Sequence, residues 1–111
     1  MGGGRAALAR LIAAPQPPDA IFFVGDTQAA GALLAAPSLG VAVPERLMIA
    51  GFGDAEIGRY LTPGLTTVRV PEYRIGHETG MMIVHRLTGA DAPAAIDIAF
   101  EIVPRGSTAR S

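Results

Sequence analysis

Two short apolar runs constrain this chain more than anything else in it. Ala20-Ile21-Phe22-Phe23-Val24 and Leu47-Met48-Ile49-Ala50-Gly51-Phe52 are too short for buried helices and lack the polar alternation of a half-exposed strand. Continuous runs of this kind are the pattern of strands buried on both faces of a parallel sheet. Between them, Asp26 opens a stretch from Thr27 to Ala36 that reads as a helix, closed by Pro37, Ser38 and Gly40. Strand, helix, strand makes a β-α-β unit with a right-handed crossover.

The flanking segments extend the pattern. Arg5 to Ala14 reads as a helix with Leu8, Leu11 and Ile12 at helical spacing, stopped by Pro15, Pro17 and Pro18. Thr66 to Val70 is a β-branched strand. Glu72 to Thr88 follows as a helix, with Ile75, Thr79, Met82, Ile83 and Leu87 on one face and Gly89 placed to end it. Ile96, Ile98, Phe100 and Ile102 alternate with Asp97, Ala99, Glu101 and Val103, the mark of a strand with one wetter face. The fold class is α/β and doubly wound. With so few parallel strands the sheet is thin, and its edges call for a partner.

Composition narrows the function. In 111 residues, 50% are hydrophobic, which excludes a disordered chain, and a net charge of −1 offers no general field for nucleic acid. The arginines are scattered along the sequence rather than gathered in one stretch. No cysteine is present, so disulfides and thiolate metal sites are excluded. The apolar start of the chain is too short and too interrupted by Arg10 to span a membrane, and no convincing signal peptide is visible. The expected location is therefore cytoplasmic.

The candidate chemistry gathers where strands run out into loops, the place where open α/β sheets hold small ligands. Asp26 follows the first apolar run and Asp54 the second; each is read either as a local cap or turn residue or as a ligand-binding carboxylate. Gly51-x-Gly53 falls short of a dinucleotide fingerprint, because the next glycine is Gly58. His77 and His85 are eight positions apart and share no tight metal-ligand spacing. Ser38, Ser107 and Ser111 have no nucleophile elbow around them. No catalytic constellation, cofactor or metal site is expected. Ile57, Tyr60 and Leu61 place apolar surface in a loop, either packing on the chain's own helices or forming a subunit contact.

The ordered set of motifs resembles the lactose-repressor (LacI) family of transcription regulators. It comprises Pro18 to Asp26, Ala29-Ala30-Gly31-Ala32-Leu33, Val43-Pro44-Glu45, Ala50-Gly51-Phe52, Leu61-Thr62-Pro63-Gly64-Leu65-Thr66-Thr67-Val68, Ile75-Gly76 and Arg105-Gly106-Ser107-Thr108. The resemblance covers nearly the whole chain. It implies a periplasmic-binding-protein-like fold of two lobes closing on a small, sugar-like effector. Residues 1–111 would form part of that sensor domain, roughly the last third of a regulator, with the DNA-binding domain absent from this chain. On the family pattern the effector-binding positions are Gly25, Asp26, Gly53, Asp54 and Val70. Gly25, Gly53 and Val70 stand where the family often presents polar groups. A homodimer is implied, with Ala30, Leu33 and Leu34 on one helix and Ile57, Tyr60 and Leu61 in the loop at the interface. DNA would be contacted only through a separate N-terminal domain, and no membrane is involved. The alternatives are a periplasmic sugar-binding protein of a transport system and a small α/β enzyme.

Overall fold

The computed structural model describes residues 1–110; Ser111 lies outside the described residues. The elements are α1 (Gly2–Ile12), β1 (Ala20–Phe22), α2 (Asp26–Ala35), β2 (Met48–Phe52), α3 (Ile57–Tyr60), β3 (Thr66–Arg69), α4 (Glu72–Leu87) and β4 (Glu101–Val103). They form two compact units: Met1–Arg69 with the segment from Ile102 onward, and Val70–Glu101. The sheet has the order β1-β2-β3-β4. β1 and β2 are parallel, as are β2 and β3, with Ile21 opposite Ile49 and Gly51 opposite Thr67. The β-α-β unit expected from the two apolar runs is therefore present.

Its burial differs from expectation. Both apolar runs were read as buried on both faces, yet β2 alternates, with Ile49 and Gly51 buried while Phe52 is exposed. Phe22 and Phe52 are 60% and 41% exposed. The reason is one-sided cover: α2 packs against β2 and α1 packs against α2, so the residues of one pleat face enter the core and their neighbours do not. That core holds Leu8, Phe23, Ala29, Leu33, Leu47, Ile49 and Leu65.

The small residues of α2 permit this packing. A side chain on Gly4 would strike the Gln28 backbone, and one on Gly31 would strike that of Met1. The two helices approach closely at these points, and only glycine leaves room.

In the second unit, α4 contains no buried residue. Its Ile75, Thr79 and Met82 line a shallow cleft with Ala95, Ile96, Asp97 and Ile98. Ile83 and Leu87, expected on the same apolar face, are 54% and 82% exposed. The long strand expected over 96–103 is shortened to Glu101–Val103, because residues 96–100 join no ladder. Among the described residues no helix is long and apolar enough to cross a membrane.

Candidate functional site

The carboxyl ends of β2 and β3 carry an ordered polar network, built from the start of α2 outward. Asp26 was read as the cap of α2, but Gly25 occupies that position in an extended conformation and Asp26 is already in the first helical turn. An acid there still complements the helix dipole. Its carboxylate does something else. Asp26 is 3% exposed, and Oδ1 accepts the Thr67 hydroxyl at 2.8 Å while Oδ2 accepts the Ala55 amide at 2.7 Å. With both oxygens committed, Asp26 supports the loop after β2 from beneath. A side chain at Gly51 would collide with Asp26 Oδ1, so any larger residue would displace that carboxylate from its partners.

Thr67 relays the contact. Its hydroxyl donates to Asp26 and accepts the Asp54 amide at 3.2 Å. The loop turns sharply between these anchors: Gly53 has φ +117° and Asp54 has φ 53°. Glycine suits the first value. Aspartate is among the few side chains that tolerate the left-handed region required by the second. The turn reading of Asp54 therefore holds, and its side chain has a further role.

Three guanidinium groups meet the Asp54 carboxylate. Arg69 Nε donates to Oδ2 at 2.7 Å, Arg105 donates to Oδ1 at 2.9 Å, and Arg59 reaches Oδ2 at 3.4 Å. The hydrogen bonds from Arg105 and Arg69 outweigh desolvation and hold the carboxyl pKa at about 2, below its ordinary 3.8. The Arg105 guanidinium also donates to the Leu65 carbonyl at 2.8 Å.

The last segment of the chain is tied in below. Ser107 is fully buried; its Oγ accepts the Thr66 amide at 2.9 Å and donates to the Ile49 carbonyl at 2.6 Å. The Thr66 hydroxyl accepts the Arg105 amide at 2.8 Å and lies 2.7 Å from the Thr108 hydroxyl. The Thr66-Thr67 pair thus divides its work between the pleat faces, one residue holding residues 105–108 and the other holding Asp26 and Asp54.

Of the expected effector positions, Gly25, Asp26, Gly53 and Asp54 lie at the strand ends of the first unit, and Val70 opens the second. Gly25 and Gly53 are half-buried and Asp26 is enclosed. Sequence reasoning passed over Thr67 as a site residue and treated Arg59, Arg69 and Arg105 as scattered. The spacing of Thr67 and Arg69 on one strand face was a usable signal. Arg105 gave none, being 51 positions from Asp54. Among the described residues no group of acids and histidines is arranged to hold a metal.

The expected interface positions separate. Ala30 and Leu33 are 0% and 5% exposed, inside the protein's own core, because α1 covers that side of α2. As side chains they have no surface left for a second subunit. Leu34 and Tyr60 are 57% and 75% exposed, while Ile57 and Leu61 are half-buried, Leu61 against the core.

The periplasmic binding protein-like domain family matches residues 2–108. The chain belongs to that family. Its relatives include the HTH-type transcriptional repressor CytR of Escherichia coli, 36% identical over 106 residues, covering 95% of this chain and 31% of that protein. A LacI family transcriptional regulator from Bifidobacterium animalis subsp. lactis superposes with a TM-score of 0.88 at 27% identity, over 96% of this chain and 39% of that one. A sugar-binding transcriptional regulator of the LacI family from Escherichia coli, solved with phosphate, gives 0.68 at 30% identity, over 80% and 32%. The resemblance to LacI-type regulators and the periplasmic-binding-protein-like α/β fold are thereby established. The chain spans about a third of the length of the repressors it matches.

Proposed function

We propose that this chain is the C-terminal effector-binding and dimerisation portion of a LacI-type transcriptional regulator, and that it performs no catalysis. The observation that carries the proposal is the match to a repressor over 95% of the chain. The strand-end position of the Asp26–Thr67–Asp54 network supports it. The effector is a small, sugar-like molecule held at the carboxyl ends of β2 and β3 beside Gly25, Gly53 and Asp54. The mechanism is lobe closure. Binding energy favouring the closed form shifts the population of the whole regulator, and the spacing of its DNA-reading heads changes with it.

The protein works in the cytoplasm as a homodimer, with the exposed Leu34 and Tyr60 and the half-buried Ile57 and Leu61 at the contact. The exposed sheet face around Phe22 and Phe52 suits a chain that is covered by further layers of a longer regulator. Relatives that are regulators favour this reading over the binding protein of a transport system. The test is the genomic reading frame upstream of Met1. A helix-turn-helix encoded there is the expected result; a secretory signal peptide in its place would overturn the proposal.

A further inference from the structure

We propose that Arg105 is the positioning residue that couples the loop after β2 to the segment carrying α3, so that a change at the Asp54 carboxylate is felt at Tyr60 and Leu61. The inference rests on the subunit-contact reading of those two residues and names the side chain that regulates the contact. One planar guanidinium makes both attachments. Its Nη2 donates to Asp54 Oδ1 at 2.9 Å, and its Nη1 donates to the Leu65 carbonyl at 2.8 Å. The two nitrogens belong to one rigid fork, so neither bond moves without the other.

The arginine stem is confined as well. A side chain built on Gly64 would come within 3.3 Å of Arg105 Cδ, and one on Gly58 within 3.6 Å of Nη1. The residues between these glycines close into a ring: the Leu65 amide donates to the Gly58 carbonyl at 2.8 Å, and the Ser107 amide donates to the Gly64 carbonyl at 2.9 Å. Leu65 is fully buried in the core. A tilt of the guanidinium is therefore taken up by residues 58–64, the span that holds the exposed Tyr60 and the half-buried Leu61. A direct link also runs from Arg59 to Asp54 Oδ2. It is the weaker of the two, at 3.4 Å with an Arg59 side chain 53% exposed, against 2.9 Å and 16% for Arg105. Any donor that claims Asp54 Oδ1, an effector hydroxyl included, releases Arg105 and changes the ring.

The test is a double-mutant cycle on the ¹⁵N-labelled full chain, read as amide shifts of the folded protein at Tyr60, Leu61 and Leu65. A loss of overall stability does not move the shifts of the folded state, so a merely structural role for Arg105 gives no coupling in this readout. Asp54→Asn should move these amides in the otherwise native chain, and move them at least about fivefold less in the Arg105→Gln background. Arg105→Lys should restore only part of the response, because an ammonium is a point charge rather than a fork. If Arg105→Gln does not fold, the cycle with Arg105→Lys decides, a reduced response supporting the proposal and a full one overturning it. A full response in Arg105→Gln that disappears in Arg59→Gln would assign the coupling to Arg59 and overturn the proposal. No response to Asp54→Asn in the native chain would overturn it too. Sedimentation of the same variants separates the two readings. Association that changes with Asp54→Asn only when Arg105 is present supports both; a chain monomeric throughout would overturn the subunit contact, while the shifts still judge Arg105.

Discussion

Replacing Asp54 with asparagine isolates the charge of the central carboxylate from its backbone role. Asparagine tolerates the φ of 53° as well as aspartate does, so the turn should survive. The two short hydrogen bonds from Arg69 and Arg105 would lose their charge assistance, and Arg105, only 16% exposed, would lose its counter-ion. The linkage relation sets the scale. A carboxyl held at about 2 against an ordinary 3.8 corresponds to roughly 2.4 kcal/mol of stability at neutral pH. Solvent reaches Arg69 and Arg59, whose side chains are 43% and 53% exposed, so about 1–2 kcal/mol is the expected loss.

The sign follows from the depressed pKa. The contribution is fully present above the unfolded value of 3.8 and disappears as pH falls through about 2. Urea unfolding followed by far-UV circular dichroism, for both proteins from pH 7 to pH 2, measures it. The gap between wild type and Asp54→Asn should be greatest above pH 5, fall to about half near pH 3 and nearly close at pH 2. A gap below about 0.5 kcal/mol at pH 7, or one that does not change with pH, would refute the assignment of Asp54 as the electrostatic anchor of the site.

Two further outcomes follow from the same structure. Ser107→Ala removes a fully buried hydroxyl and leaves the Thr66 amide and Ile49 carbonyl unpaired; destabilisation of about 2–4 kcal/mol is expected in urea unfolding, and a loss below 1 kcal/mol would contradict the network. Tyr60→Glu, at a 75% exposed position, should leave the folded spectrum intact while shifting sedimentation toward the monomer. Unchanged association would remove α3 from the proposed interface.

The elements were largely legible because their signals are local. Prolines, apolar period and run length marked α1, β1, α2, β2, β3 and α4 to within a few residues. The strand over 96–103 was misjudged because alternation records a preference for a pleat, whereas a strand also needs a neighbour to bond, and only Glu101–Val103 found one. Ala30 and Leu33 were misplaced for a related reason. A small apolar residue on a helix suits a subunit interface or an internal helix contact equally well, and the approach of α1 decided for the second.

At the site, the sequence by itself determined the location and the backbone. Apolar runs ending in Gly25-Asp26 and Gly53-Asp54 place the loops at the carboxyl ends of parallel strands, and residue type alone limits which positions accept a positive φ. Only the tertiary structure decided what the polar groups do. Asp26 and Thr67 are separated by 41 positions, and Asp54 and Arg105 by 51. No local rule relates residues so far apart. Sheet register and the return of the chain at residues 105–108 bring them within bonding distance, turning one apparent helix cap into a loop support and three apparently scattered arginines into the partners of a single carboxylate.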